Sequence, residues 1–401
     1  MDFDRVLAIV IDSIGVGGAP DAERYHSDGA DTLGHVASWF PRELGRPLAL
    51  PHLEELGIAL THPGGLEGVS SPEAPKAAHG RMQITSFGND SLDGHWEMMC
   101  LPARFNVDYF PDGFPDELLD PIREFSGRGI LCNKPYSGTD VIRNFGEEQL
   151  RTGDLIVYTS GDSVLQIAAH EEVIPLEELY RICEYARTLI NGPAFTVGRV
   201  IARPYVGTNA GDFTRTANRR DYGLEPYGST AIDFLHDAGY NTIAVGKTFD
   251  LFRGNGFSES FHNESNHNGM EHVIAVMGRR DWRGLCFTNL VDFDAVYGHR
   301  RDPKGDGLAL EDFDAQLGEV MRLMGERDLL LITADHGNDP TYRGTDHTRE
   351  LVPLLAWSPA MTTPGRGLGL RTTASDLGAT VLDNFKVAGN GEGRSFLTDL
   401  R

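Results

Sequence analysis

Acidic and imidazole side chains occur in three separate segments of the chain, each placed just after an apolar run. Aspartate and histidine are common ligands of divalent cations, and six such residues supply enough donors for two ions with open coordination positions. Oxygen and nitrogen donors without thiolate favour Mn, Zn or Mg, and Mn or Zn over Ca. The candidate ligands are Asp12, Asp294, His299, Asp335, His336 and His347.

Each of these residues also has an ordinary structural interpretation. An aspartate after a strand often begins a helix or a turn. A single histidine is more often a hydrogen-bonded structural residue than a metal ligand, and this chain contains 14 histidines. The six residues together carry more weight, because each segment places them after a predicted strand and in a loop that contains glycine.

A serine lies in a segment rich in glycine and acidic residues, at positions 88–97. A serine hydroxyl is a poor nucleophile at neutral pH, and a metal ion bound to it would lower its pKa. Ser91 is therefore a candidate nucleophile. The alternative is that Ser91 is the N-cap residue of a short helix.

A parallel sheet is the element that would bring these side chains together. Short apolar runs predict buried strands, and amphipathic patterns between them predict helices, which indicates an α/β fold with a parallel sheet between helices. Ligands of such sheets bind at the carboxyl ends of the strands. The predicted strands are 5–11, 241–245, 285–291, 328–332 and 351–357, and the predicted helices include 229–238, 310–324 and 375–384.

The middle of the chain has its own pattern of predicted strands and helices. This pattern predicts a second α/β domain that is inserted into the first. It contains a predicted strand at 155–159 and a predicted helix at 176–189. We expect a catalytic core formed by 1–104 and 221–401 and an inserted cap at 105–220. The hinges of such a cap would lie near 102–106 and 219–223.

Composition narrows the classes of partner. The formal charge of −23 argues against nucleic acid, because binding to a phosphate backbone needs a basic surface. It permits a small anionic substrate, since metal ions reverse the local field in a cleft. No apolar stretch is long enough for a membrane helix, and the start of the chain does not resemble a signal peptide. With four cysteines and no C-x-x-C pair, we expect reduced thiols and a cytoplasmic location.

Several long motifs resemble those of the phosphopentomutase family, which belongs to the alkaline phosphatase superfamily. The similarity runs through nearly the whole chain. The matching segments are 12–22, 29–35, 158–170, 198–204, 287–302 and 333–348.

The resemblance implies a metal-binding core with a cap, two Mn²⁺ ions and a phosphorylated side chain. Asp12, Asp335 and His336 would hold one ion, and both ions would touch the side-chain oxygen of Ser91. The remaining ligands, Asp294, His299 and His347, would hold the other ion. Members of the family interconvert ribose or deoxyribose 1-phosphate and 5-phosphate. Their phosphoenzyme forms a sugar bisphosphate as the intermediate, and a sugar bisphosphate primes the enzyme.

The segment around the nucleophile departs from the family pattern. Where the family has Gly-Lys-Asp-Thr, this chain has Gly88-Asn89-Asp90-Ser91, and Asp93 replaces a second threonine. Serine can still carry phosphate, but the loss of lysine removes a positive charge beside the group being transferred.

Cationic and polar residues in the matching segments are candidates for contacts with the substrate. An arginine can bind phosphate through two parallel hydrogen bonds, although each could equally form a surface ion pair. The candidates are Ser160, Asp162, Arg199, Arg203 and Lys247.

Three functions are compatible with these residues. The first is a mutase for a phosphorylated pentose or another phosphosugar, which releases no free phosphate. The second is a metal-dependent phosphatase or phosphodiesterase with the same core, and the third is a non-catalytic binding protein. The segments that match in the predicted cap favour the mutase, and the six intact ligand positions argue against the binding protein. The sequence leaves the oligomeric state open.

Overall fold

The computed structural model describes residues 2–160, 163–192 and 194–400, which divide into two compact units. The larger unit comprises Met1–Arg104 and Gly228–Arg401, and the smaller unit comprises Phe105–Tyr227. The boundary expected at 220/221 falls inside a strand, Arg220–Gly223, that pairs with another strand of the smaller unit. The smaller unit therefore continues to Tyr227, beyond the expected hinge at 219–223.

The strands of the described residues are numbered here in chain order. They are β1 (Arg5–Ile11), β2 (Ala78–Met82), β3 (Ile130–Pro135), β4 (Leu155–Thr159), β5 (Val164–His170), β6 (Asn191–Gly192), β7 (Phe195–Thr196), β8 (Arg199–Val206), β9 (Thr214–Arg215), β10 (Arg220–Gly223), β11 (Asn241–Val245), β12 (Glu259–Phe261), β13 (Gly284–Leu290), β14 (Asp328–Thr333), β15 (Val352–Trp357) and β16 (Gly367–Arg371).

The helices are numbered in the same way. Among the described residues, no helix combines the length and the hydropathy that a membrane span requires. They are α1 (Thr32–Leu44), α2 (Pro51–Leu56), α3 (Ser91–Met98), α4 (Asp116–Ser126), α5 (Asp140–Thr152), α6 (Leu176–Leu189), α7 (Ala231–Asp237), α8 (Thr248–Leu251), α9 (Asn266–Gly278), α10 (Pro303–Leu323) and α11 (Ser375–Phe385). A π-helical turn spans Phe293–Gly298, and short 3₁₀ turns span Ala22–Tyr25, Ile58–Thr61 and Leu397–Leu400.

The larger unit is built on an eight-stranded sheet with the order β12-β11-β13-β1-β14-β15-β2-β16. The five strands from β12 to β14 are parallel, and β15 runs antiparallel to both of its neighbours. All seven residues of β1 are buried, as expected for a central parallel strand that is covered on both faces. The prediction of an α/β fold with a parallel sheet is confirmed.

The smaller unit has a six-stranded sheet with the order β10-β8-β5-β4-β3, and β9 pairs with Tyr205 and Val206 at the end of β8. One face of this sheet packs on α4 and α6 through residues such as Leu119 and Ile182. The other face packs on α5 through Val141 and Ile142, which join a cluster with Tyr158 and Tyr205. The smaller unit therefore has helices on both faces of its own sheet.

Candidate active site

Four adjacent parallel strands, β11, β13, β1 and β14, are followed at their carboxyl ends by six of the predicted site residues. Asp12 follows β1, Lys247 follows β11 by two residues, and Asp335 and His336 follow β14. The chain after β13 enters the π-helical turn, which contains Asp294 and is followed by His299. The crevice at this edge is where ligands of open parallel sheets bind, and π-helical turns are often found at functional sites.

Ser91 is the first residue of α3, but it is not the residue that caps the helix. The cap is Asp90, whose side chain accepts a hydrogen bond of 3.1 Å from the backbone N–H of Asp93. The Ser91 hydroxyl is therefore available for other contacts. Its Oγ atom is buried 3.2 Å from His336 Nε2 and 3.5 Å from Asp12 Oδ2.

The six predicted ligands lie close to one another in two groups. The ligand atoms of Asp12, Asp335 and His336 are all within 4.8 Å of one another. A second group that meets the same limit consists of Asp294, His347 and again His336.

His299, which the sequence assigned to the second ion, is also at this position. Its Nε2 atom lies 3.1 Å from His347 Nε2 and 3.3 Å from Asp294 Oδ2. The predicted second set is thus brought together, and His336 lies between the two sets.

The three histidines share a hydrogen-bonding pattern typical of metal ligands. In each ring Nδ1 donates to a backbone carbonyl: His336 to Gly337 at 3.1 Å, His299 to Thr345 at 2.7 Å and His347 to Asn89 at 2.8 Å. This directs each Nε2 atom toward the cluster, where it offers a lone pair whenever the ring is neutral. Metal-binding histidines usually donate their other nitrogen in this way.

Two carboxylate oxygens at the cluster have no hydrogen-bond partner among the described residues. These two buried atoms are Asp12 Oδ1 and Asp335 Oδ2. His95 Nδ1 lies 3.2 Å from Asp335 Oδ2, but it donates to the carbonyl of Ser91 at 2.8 Å instead. Buried carboxylate oxygens are costly without a donor or a cation, so they fit a site for divalent cations.

The ionisation of the cluster reflects its burial. Burial, and next the carboxylate of Asp335, raise the pKa of Asp12 well above its usual value. Burial also lowers the pKa of His336 to about 4, so this imidazole is neutral at neutral pH and can bind a metal. Burial lowers the pKa of His347 too, but the hydrogen bond and charge of Asp294 outweigh it and raise that pKa to about 9. A metal ion would compete with that proton.

Lys247 is the predicted substrate-binding residue that the structure places in the cluster. Its Nζ atom donates to Ser91 Oγ at 2.8 Å and lies 3.7 Å from Asp12 Oδ2. Burial lowers its pKa, but the carboxylates of Asp12, Asp335 and Asp294 outweigh this effect and raise the pKa overall. Lys247 is therefore a fixed positive charge beside the serine.

The other predicted substrate contacts belong to the smaller unit. Ser160 follows β4, and Arg199 begins β8 with an exposed side chain. Arg203 is half-buried on β8, where its Nε donates to Gln166 Oε1 at 2.8 Å. Asp162 lies outside the described residues.

Three residues that sequence reasoning missed orient the ligands and the serine. Asn289 Nδ2, near the end of β13, donates to Asp12 Oδ2 at 2.9 Å and to His95 Nε2 at 3.1 Å. Asn338 Nδ2 donates to Asp294 Oδ1 at 2.8 Å. Asn289 lies in the matching segment 287–302 and His95 in the segment 88–97. The sequence did contain a signal for Asn289, because a polar residue within a buried apolar strand often has a specific partner.

The loop before Ser91 is held from outside the cluster as well. Arg349, which is buried, donates to the carbonyls of Gly88 at 3.0 Å and Ile84 at 2.7 Å. Asn89 Nδ2 donates to the carbonyl of His347 at 3.0 Å, opposite the bond that His347 donates to Asn89. The loop that presents Ser91 and the loop between β14 and β15 that presents His347 are thus tied directly to each other.

Comparison with known proteins gives matches along the whole chain. Residues 4–388 match the model of the metalloenzyme superfamily. The chain is 58% identical over 401 residues to the phosphopentomutase of Levilactobacillus brevis, covering 100% of both chains. It is 57% identical over 387 residues to the phosphopentomutase of Limosilactobacillus reuteri, covering 96% of each. Among solved structures, the PH0037 protein from Pyrococcus horikoshii is 14% identical, with a TM-score of 0.49 over 97% of this chain and 99% of that one.

Proposed function

Because the chain belongs to the phosphopentomutase family of the metalloenzyme superfamily, we propose that it moves phosphate between O1 and O5 of ribose or deoxyribose phosphate with Ser91 as the temporary carrier. The observation that supports this most strongly is the environment of Ser91 Oγ, which is buried between a lysine ammonium and the cluster of carboxylates and imidazoles. A carrier oxygen needs to lie where positive charge stabilises the phosphoryl group.

Two divalent cations, Mn²⁺ in particular, would complete the site. Asp12, Asp335 and His336 would hold one, and the three remaining ligands, Asp294, His299 and His347, would hold the other. When bound, the cations supply positive charge beside the phosphoryl group and the serine oxygen. Two observations support this assignment. Two buried carboxylate oxygens lack a hydrogen-bond donor among the described residues, and each of the three histidines donates its Nδ1 hydrogen to a backbone carbonyl.

The reaction is a pair of phosphoryl transfers that conserve phosphate. The phosphate on Ser91 Oγ passes to the free hydroxyl of a sugar monophosphate, which becomes a bisphosphate. The other phosphate of that bisphosphate then returns to Ser91 Oγ, which leaves the isomeric monophosphate and regenerates the phosphoenzyme. An enzyme that has lost its phosphate needs a sugar bisphosphate to restore it.

The residues of the chain hold the reacting oxygen and balance its charge. Lys247 stays protonated because its pKa is raised, so it acts as a cation beside Ser91 rather than as a base. His95 fixes the backbone at Ser91 through the carbonyl, and Asn289 links His95 to Asp12. Both groups position the serine relative to the ligands without touching the phosphate.

We assign contacts with the phosphorylated sugar to polar residues of the smaller unit, and a contact with the phosphate on Ser91 to Lys247. Arg199 and Arg203 supply guanidinium groups that suit phosphate, and Ser160 and Asp162 suit the hydroxyl groups of the sugar. The only partner that this function requires is a small phosphorylated sugar. We place the reaction in the cytoplasm, and the presence of four free cysteines supports a reducing compartment.

The experiment is ³¹P NMR of the Mn²⁺-loaded protein with ribose 5-phosphate and a catalytic amount of a sugar bisphosphate. The expected result is growth of the 1-phosphate signal until equilibrium, with total sugar phosphate unchanged. Accumulation of inorganic phosphate without a need for primer would instead identify a phosphatase. A panel of hexose and polyol phosphates in the same assay tests whether the enzyme, with Asn89 and Ser91 in place of the family's lysine and threonine, acts on another phosphorylated sugar or polyol.

A further inference from the structure

Lys247 reaches Ser91 from a short segment of chain between β11 and β12. Gly246 follows β11 directly, Lys247 comes next, and the four-residue helix α8 begins at Thr248. A helix of about one turn is marginal on its own, because few hydrogen bonds offset the cost of ordering its backbone. The position of the Lys247 ammonium therefore depends on contacts that hold α8 from outside.

The start of this segment is fixed by close packing against β13. Gly246 has a φ of +77°, and a Cβ atom built on it would lie 2.6 Å from the carbonyl oxygen of Asn289. The left-handed φ and the close approach both favour glycine. The Thr248 hydroxyl lies within hydrogen-bond distance of two carbonyl oxygens, that of Val245 at 3.3 Å and that of Phe287 at 3.1 Å. These contacts hold the beginning of α8.

The end of α8 is held by the indole of Trp96, which belongs to α3, the helix that begins with Ser91. Trp96 is fully buried, and its Nε1 donates to the carbonyl of Leu251 at 2.9 Å. The backbone N–H of Leu251 in turn donates to the carbonyl of Lys247 at 3.0 Å. The indole is thus connected to Lys247 through one residue of α8.

The segment from Lys247 to Leu251 and the helix α3 are therefore joined at two points. At one point Lys247 Nζ donates to Ser91 Oγ at 2.8 Å, and at the other Trp96 Nε1 donates to Leu251. Ser91 and Trp96 are about 7.5 Å apart along α3, at a rise of about 1.5 Å per residue. Two separated contacts restrict the tilt of α8 as well as its distance from α3, which a single contact cannot do.

Loss of the indole N–H would release this arrangement at one end. A partly buried carbonyl that loses its donor gains free energy by turning toward water. Phe249 and Asp250 of α8 are exposed, so the helix has room to move on its solvent side. Because Lys247 is bonded to Leu251 through the backbone, its ammonium would shift relative to Ser91 Oγ.

We propose that Trp96 is a positioning residue for phosphoryl transfer, and that its bond to Leu251 sets the place of the Lys247 ammonium beside Ser91 Oγ. The inference rests on the proposed function, in which Lys247 stabilises the phosphate on Ser91. Electrostatic stabilisation of a transferring group depends on fixed geometry, and a displacement of about 1 Å can lower a rate about 100-fold. Trp96 acts through Lys247, because its N–H is bonded to a backbone carbonyl.

Trp282 provides a matched control at the other end of the same sheet. It is also buried, and its indole N–H donates to the carbonyl of Val276, in the last turn of α9, at 3.0 Å. Trp282 lies just before β13, at the end of that strand away from the metal cluster. The change to phenylalanine removes the same group from Trp96 and from Trp282, and only the first is connected to Lys247.

The first measurement is the steady-state rate of the Mn²⁺-loaded protein with ribose 5-phosphate and a sugar bisphosphate. Trp96→Phe should lower kcat about tenfold or more and leave KM within about twofold, whereas Trp282→Phe should change neither. Thermal unfolding verifies that both variants are folded. If Trp96→Phe is not, benzothienylalanine at this position removes the N–H and keeps the ring volume. A wild-type kcat without the N–H, or an equal loss in Trp282→Phe, would overturn the proposal.

A double-mutant cycle distinguishes positioning from a general structural role. If Trp96 acts through the lysine, Trp96→Phe should cause no further loss of kcat in a protein that already carries Lys247→Met. If Trp96 only supports the fold, the loss should be the same with and without the lysine. The same tenfold loss in both backgrounds would therefore contradict the positioning role.

Labelling of lysines in the metal-free protein tests the contact without turnover. The Lys247 side chain is 31% exposed, so acetic anhydride can reach it, and peptide mass spectrometry measures its modification. Lys247 should be acetylated several times faster in Trp96→Phe than in wild type, relative to the exposed Lys386. Equal labelling of Lys247 in both proteins would overturn the role of Trp96. Absence of isomerisation in the wild type would instead overturn the proposed function, so the two failures are distinguishable.

Discussion

Lys247 Nζ donates a hydrogen bond of 2.8 Å to Ser91 Oγ across 156 positions of the chain. The family pattern places a lysine two residues before the nucleophile, where this chain has Asn89. Asn89 instead donates its amide to the carbonyl of His347 and so holds the loop in place. The positive charge next to Ser91 Oγ therefore comes from Lys247, which follows β11.

Replacing Lys247 with methionine should lower the mutase rate about 100-fold or more, because the charge that stabilises the transferring phosphoryl group is removed. Metal content should stay the same, since the lysine is not a ligand. Steady-state rates and elemental analysis measure the two quantities. Lys386→Met is the matched control, because Lys386 is exposed and pairs with Asp2 at 2.8 Å. An equal loss of rate in both variants would rule out the assigned role.

Replacing Asn289 with leucine should weaken metal binding about 10- to 100-fold, because the residue that orients a ligand is lost. Asn289 donates to Asp12 Oδ2 at 2.9 Å and to His95 Nε2 at 3.1 Å, and leucine of similar volume can do neither. Competition with a fluorescent chelator measures the affinity. Asn144→Leu serves as control, since Asn144 is exposed on α5 and donates a hydrogen bond to the Tyr136 hydroxyl at 2.8 Å. Unchanged affinity in Asn289→Leu would show that Asp12 needs no such support.

Glu97→Gln should destabilise the larger unit by about 1–3 kcal/mol, the cost of leaving buried donors unsatisfied. Glu97 is fully buried. Its two carboxylate oxygens accept hydrogen bonds from donors of Thr85, Ser86, Thr373 and Ala374. The amide nitrogen of glutamine would face some of those donors instead of accepting from them.

Urea unfolding of wild type and Glu97→Gln measures this difference as a shift in midpoint at constant slope. The comparison variant is Glu319→Gln, which removes an exposed charge paired with Arg322 at 3.5 Å. Surface pairs of this kind contribute little, so its midpoint should not move. Equal stability of all three proteins would contradict the structural role of Glu97.

Much of the sheet could be predicted because its strands are continuous apolar runs. β1, β4, β11 and the helix α6 have the predicted bounds, and β13 differs by one residue at each end. The helix α10 begins at Pro303 rather than at the predicted 310, because Asp302 caps it by accepting from Gly305 N–H at 2.9 Å. That start signal, aspartate followed by proline, is present in the sequence.

The sequence could not reveal contacts that depend on the folded arrangement. Asn289 and His95 lie inside regular elements, where spacing alone does not distinguish a positioning group from a packed one. Lys247 was expected near the substrate, but its bond to Ser91 depends on the order of strands in the sheet.

The most direct test of the central claim is to locate the phosphate on the protein itself. Mn²⁺-loaded protein is incubated with a sugar bisphosphate, quenched in acid, and analysed by peptide mass spectrometry beside the Ser91→Ala and Ser91→Thr variants. The account predicts phosphate on Ser91 in the wild type, on the threonine in Ser91→Thr, and on no residue in an inactive Ser91→Ala. Phosphate on another side chain, or full isomerisation by Ser91→Ala, would contradict it.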